Sequence, residues 1–243
     1  MYLLKQSLKK AINFSPIHHI RLKLDTLKSW DLQYNKIQQF TITEKAYSIK
    51  SINLSSNELT TLDLTSFKNF KHLETLFLRH NRFTTLATVA VHELPVSLEN
   101  LHLDHNGIEN IEANFFKNLT SLKTLNLNYI TMNSIESDTF QGLENLNNLC
   151  LGYGVLTELN DNVFKGLVNL TKLHLSHNKL AKLDVNVFNG LIQLKYLYLN
   201  NNLLTKLDSK QFKHLINLEK LCLNFNNIIS LEVGVFNDLK VIY

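Results

Sequence analysis

Apolar residues return along this chain with a fixed rhythm. Aligned on L-x-x-L-x-L-x-x-N-x-L, successive copies begin at Leu27, Ile49, Leu73, Leu98, Leu122, Leu146, Leu170, Leu194 and Leu218, with intervals of 22, 24 and 25 residues and then 24 throughout. A period in this range decides architecture before any single element is assigned. The copy at 170–193 reads LTKLHLSHNKLAKLDVNVFNGLIQ. With its first leucine as position 0, positions 3 and 5 (Leu173, Leu175) are apolar around the variable His174, the alternation of a half-buried strand. Positions 10 and 13 (Leu180, Leu183) carry the chain inward after a turn, and positions 18 and 21 (Phe188, Leu191) return apolar side chains from the far side. One such unit cannot enclose its own core. Stacked, each covers its neighbour's apolar face, which predicts a rod with one parallel sheet of short strands along its inner side.

Position 8 is asparagine in seven of nine copies: Asn35, Asn57, Asn81, Asn106, Asn178, Asn202 and Asn226. With 31 asparagines in 243 residues, chance supplies about one. An interior amide is tolerated only when hydrogen-bonded, and here the chain turns out of the strand and strands its own backbone groups. The column is therefore expected to be a structural ladder between coils. Position 18 is Phe67, Phe116, Phe140, Phe164, Phe188, Phe212 and Phe236, with Val91 as the replacement.

These columns resemble the leucine-rich repeat family in its 24-residue "typical" form, over residues 27–241. That subtype is similar to Toll-like receptor, Slit-type and chaoptin-like ectodomains. The resemblance implies an α/β leucine-rich repeat solenoid: a curved right-handed rod, parallel β-sheet on the concave face, loops, 3-10 turns or short helices on the convex face. It divides the chain into an irregular segment or degenerate first coil at 1–26, nine repeats at 27–241 and the start of another at 242–243.

Composition then narrows the function classes. Forty-eight leucines and few glycines (7) or prolines (2) exclude collagen-like and low-complexity chains. Residues 1–50 hold 9 of 25 basic residues and 3 of 21 acidic ones, so the excess charge sits at the start, and only 3 of the basic residues are arginine. A nucleic-acid binder would show a basic stripe rich in arginine, so nucleic acid is not expected as a partner. Residues 1–20 lack the apolar run of a secretory signal, and no stretch is long and apolar enough to span a membrane. The chain stops at Val241-Ile242-Tyr243, where a repeat is beginning, without the polar cap a solenoid needs. The expectation is a fragment, against a short intracellular protein capped by a partner. Four N-x-S/T sequons, at Asn13, Asn53, Asn118 and Asn169, match chance and say nothing about secretion.

Candidate chemistry is sparse. Cys150 and Cys222 occupy position 4 three repeats apart. At roughly 15 Å they are beyond disulfide reach, so free thiols are expected. The adjacent Cys150 and His174 are the best catalytic pair, yet no oxyanion donor or pocket is implied. His80, His102 and His105, with Asp104 nearby, and then His174 and His177, gather on the inner side; positions 4 and 7 simply tolerate polar rings, and no metal or cofactor is expected. Exposed aromatics at Phe77, Tyr129, Tyr153, Tyr196, Tyr198 and Phe225 are the stronger signal, since Tyr anchors interfaces. The repeats at 122 and 146 replace the asparagine by Ile130 and Gly154, and broken local rules mark functional sites. The expected ligand site is centred on Asn126, Asn128, Tyr129, Cys150 and Tyr153, flanked by His102, His174 and Tyr198. The resulting expectation is a non-enzymatic module binding a protein or glycoconjugate, extracellular or at the cell surface, as in a receptor of Toll-like, innate-immune type. A matrix or adhesion protein that forms homo-oligomers and a cytoplasmic scaffold are the alternatives.

Overall fold

The computed structural model describes residues 27–41, 48–61, 67, 70–86 and 94–239. The expectations for residues 1–26, Val91 and 242–243 lie outside these. Nine three-residue strands pair in parallel and in chain order: β1 (Ser29–Asp31), β2 (Ser51–Asn53), β3 (Thr75–Phe77), β5 (Asn100–His102), β7 (Thr124–Asn126), β8 (Asn148–Cys150), β9 (Lys172–His174), β10 (Tyr196–Tyr198) and β11 (Lys220–Cys222). A second, two-stranded sheet joins β4 (Thr85–Leu86) to β6 (Asn110–Ile111), beside the one 25-residue interval. In the nine-stranded sheet, the middle residue of each strand from β2 to β10 is buried between two half-buried neighbours. Position 3 thus faces the core and positions 2 and 4 line the open face of the sheet.

The asparagine column bonds as a ladder. Asn202 is typical: its amide nitrogen donates to Leu175 O at 2.9 Å in the preceding coil and to Leu199 O at 3.0 Å in its own, while its oxygen accepts from Leu180 N at 3.1 Å. Asn57, Asn81, Asn106 and Asn178 repeat the arrangement. On the opposite side, Phe116, Phe140, Phe164, Phe188 and Phe212 are fully buried and stack with Phe236 at 6.1 to 6.5 Å between ring centroids. Rings just past the strands are closer, 3.8 to 4.8 Å. Equivalent residues are therefore farther apart on the phenylalanine side than on the sheet side. The coils fan outward, and the sheet forms the inner, concave wall of a curved solenoid.

The two irregular repeats fill the place of the missing amide differently. Ile130 is buried and packs where an amide would sit. At Gly154 a Cβ would come within 2.8 Å of Asn178 Oδ1 and 3.1 Å of Ile130 O, so the space a side chain needs belongs to the next rung. In most coils the position-9 N–H bonds the position-10 carbonyl of the preceding coil, as in Lys179 to Leu156 and Leu203 to Leu180. In the Gly154 coil position 11 bonds position 11 instead, Thr157 N to Asn133 O, and the Asn106 coil does the same with Glu109 N to Thr84 O. The shift therefore does not track the missing asparagine: the Ile130 coil keeps the regular bond, Thr131 to Ile108 at 2.9 Å.

Candidate functional site

Parallel register aligns equivalent residues across the sheet, so a site here is a row rather than a pocket. His102 pairs with Asn126, Asn126 with Cys150, Cys150 with His174, and His174 with Tyr198. Five of the eight expected residues thus form one line along position 4. The His174 and Tyr198 rings stack at 4.3 Å, and Phe77 stacks on His102 at 4.8 Å. Asn126 and Asn128 are partly engaged in holding the backbone. Asn126 Oδ1 accepts from Asn128 N at 3.1 Å, and Asn128 Oδ1 accepts from Gly152 N at 2.7 Å.

A second row runs beside the first at position 7. Its nine residues, Tyr34, Ser56, His80, His105, Tyr129, Tyr153, His177, Asn201 and Phe225, all have φ between 51° and 60°. This left-handed conformation is unfavourable for residues with a Cβ. In the first eight it is held because the N–H bonds the position-6 carbonyl of the following coil, for example Tyr129 to Gly152 at 2.9 Å and Tyr153 to Ser176 at 2.9 Å. The same geometry throws every side chain out on one side at the spacing of the strands. Five consecutive rings then close into a continuous stack: His80 on His105 at 4.1 Å, His105 on Tyr129 at 3.8 Å, Tyr129 on Tyr153 at 4.8 Å, and Tyr153 on His177 at 4.3 Å. Tyr129 and Tyr153 remain 41% and 47% exposed, which leaves their edges, not their faces, to a ligand.

Sequence reasoning named the two tyrosines but placed His80, His105 and His177 in a separate histidine cluster. Their shared column was the available signal. It also left out Lys172 and Lys220, which flank Tyr196 and Tyr198 at position 2.

The electrostatics run against nucleophilic catalysis. Burial pushes the Cys150 thiol up to about 11, only partly countered by the Lys172 ammonium. Burial and then Lys172 push His174 down to about 4. A thiolate–imidazolium pair needs the opposite displacement of both groups. Both thiols are free, as expected. Among the described residues no three His, Cys, Asp or Glu side chains come together as metal ligands. Asp104 is buried and accepts from Arg79 Nε at 2.7 Å.

The histidine shifts have a consequence for stability. Burial lowers His174, His102 and His105 below their ordinary value of 6.5. An unfolded chain then binds protons that the folded one refuses, so stability is complete above about pH 6.5 and falls as pH descends toward 4. Melting curves of the native chain and His174→Gln at pH 7.5 and 4.5 should show a smaller acid-induced drop in the variant. Parallel drops would mean that His174 keeps an ordinary affinity for protons.

Comparison with known proteins agrees with this architecture. The family described as BspA type Leucine rich repeat region matches residues 109–242 in six copies, more than half of the chain, and the one described as Leucine rich repeat matches residues 48–96. No curated protein matches. The chain is similar to the structure of the TLR13–ssRNA13 complex, with TM-score 0.72 and 33% identity over 75% of this chain and 26% of that one. It shares its fold with the Toll–Spatzle complex of Drosophila, at TM-score 0.72 and 22% identity over 90% of this chain and 32% of that one. A chain in the octameric complex of Latrophilin 3, Unc5D and the FLRT2 leucine-rich repeat matches at TM-score 0.71 and 25% identity, covering 89% and 73%. This chain spans about a third or less of the first two neighbours. The expectation that excluded nucleic acid is not supported, because the first neighbour is a complex with ssRNA13. No described helix is long and apolar enough to cross a membrane. Period, ladder, sheet and family match agree: the chain belongs to the leucine-rich repeat family.

Proposed function

We propose that this solenoid is a non-enzymatic recognition module of a cell-surface or secreted protein, and that it captures a macromolecular ligand on the concave sheet face and the ring ladder at its edge. The observation that carries the reading is the continuous five-ring stack from His80 to His177 beside the line from His102 to Tyr198. Rigid aromatic surface that has already lost its side-chain freedom gives contact area at little further ordering cost. Support also comes from the TLR13 and FLRT2 neighbours, both of which are complexes. The ligand class we favour is protein or glycoconjugate.

The test must remove rings without unfolding the turn. Asn201 holds position 7 at φ 57°, so asparagine suits that backbone. Tyr129→Asn with Tyr153→Asn breaks three stacking contacts and should cost about 2 kcal/mol of stability, leaving the rod folded. Immobilised chain is exposed to secreted proteins, soluble glycans and single-stranded RNA, and capture is quantified for each. The double variant should lose about tenfold in capture of whichever class binds, as expected for interface anchors. Val168→Asn with Ile192→Asn, on an exposed stripe elsewhere on the rod, should lose little. Equal losses in the two variants would refute a site on the sheet face.

A further inference from the structure

Strands β9 to β11 carry a constellation unlike the rest of the sheet face. Positions 2 and 4 from β1 to β8 hold one charged residue, Asp31 at the far end. In the last three strands Lys172 and Lys220 stand on either side of Tyr196, with His174, Tyr198 and Cys222 in the neighbouring row. Lys172 Nζ lies 5.5 Å from the Tyr196 ring and Lys220 Nζ 5.6 Å from the Tyr198 ring, so both ammonium groups are held over aromatic faces. Two strand spacings separate the lysines, about 10 Å.

Neither ammonium has an ion-pair partner among the described residues. The lysines one position earlier do: Lys50 with Glu74, Lys123 with Glu99, and Lys195 with Glu219. Glu219, beside Lys220 in the chain, is occupied by Lys195 at 2.7 Å and by the Tyr196 hydroxyl at 3.0 Å. Those two hydrogen bonds hold it below the usual carboxylate range, so it stays charged and engaged. The patch therefore keeps two uncompensated positive charges on a face otherwise almost without charge.

We propose that this patch is an anion-recognition subsite for an acidic segment of a protein partner. The proposal rests on the sheet-face reading above and names the partner chemistry at one end of that face. Carboxylates complement two ammonium groups of this spacing, and the phenol of Tyr198 adds a hydrogen-bond donor between them. Nucleic acid fits less well. Tyr198 has His174 on one face and Lys220 on the other, and Tyr196 has Lys172 on one face. A base has little free ring to stack on, which sequence-tolerant strand binding requires, and two lysines make a short track for a phosphate backbone.

The test is fluorescence anisotropy at low salt with three labelled twelve-residue probes: a glutamate-rich peptide, a lysine-rich peptide and a single-stranded oligonucleotide. The native chain should bind the acidic peptide, more weakly as salt rises. Lys172→Gln with Lys220→Gln should raise its Kd about tenfold, as expected when charge pairs at an interface lose one partner. Lys165→Gln with Lys213→Gln, which removes the same net charge elsewhere on the rod, should change it less than about twofold. Absence of acidic-peptide binding, equal losses in both double variants, or tighter binding of the oligonucleotide would each overturn the proposal. None of these outcomes touches the ring-ladder capture result, so the two readings fail separately.

Discussion

Replacing Asn178 by leucine should destabilise the rod by about 3–5 kcal/mol, and more than the same change at Asn202, because buried backbone groups are left without partners at about 1–3 kcal/mol each. The difference follows from which carbonyls have a second donor. Asn202 serves Leu175 O and Leu199 O, but Asn178 also reaches Leu175 O at 3.1 Å and Asn226 also reaches Leu199 O at 2.9 Å. Losing Asn202 strands chiefly Leu180 N, its third partner. Asn178 donates to Leu151 O at 2.8 Å, and the residue that would share that carbonyl is Gly154, which has no side chain. Its loss strands Leu151 O as well as Leu156 N. Urea titrations of both variants should place Asn178→Leu about 1–2 kcal/mol below Asn202→Leu, the value of one more unsatisfied group. Equal midpoints would show that the carbonyls are not shared between rungs in this way.

That asymmetry marks the boundary of what the sequence makes legible. The strands, the inward Leu173 and Leu175, the amide column and the phenylalanine column all follow from one period, because each is a matter of which residue type recurs where. The ring ladder depends on something composition does not encode, a left-handed backbone at position 7 in residues as different as Tyr34, Ser56 and His105. Glycine, the usual sequence mark of that conformation, is at none of the nine positions. Once the turn geometry is known, Tyr129, Tyr153, His105 and His177 fall into one stack, since the strand spacing of about 4.8 Å is close to a comfortable ring separation. The same reasoning accounts for the binding residues that serve two purposes. Asn128 reads as a polar side chain on an open face, yet its oxygen fills the bond that props Gly152. The patch at Lys172 and Lys220 was visible as residues but not as charge, because only the structure shows that Glu219 is taken by Lys195 and Tyr196.

Phe164→Ala is the other large effect, expected at about 3–5 kcal/mol, the range for deleting a buried phenylalanine where the surroundings cannot collapse. Phe164 is fully buried between Phe140 at 6.2 Å and Phe188 at 6.5 Å. Those separations are set by the fanning of the coils, and the sheet on the far side fixes the coils at strand spacing. Neighbouring rings therefore cannot close the gap without unpicking the ladder, and a cavity should remain. Phe236, stacked on one side by Phe212 and only partly buried, is the internal comparison and should lose about half as much on truncation. Because each repeat is stabilised by its neighbours, the damage should spread locally. Hydrogen exchange of Phe164→Ala should lose protection first in the coils beginning at Leu122, Leu146 and Leu170, and later toward Ile49. Binding on the sheet face, measured below the melting transition, should survive, since the ring column and the ligand face lie on opposite walls. If truncation at 164 and 236 cost the same, the column would be acting as a spacer that sets curvature and not as the core that holds the coils together.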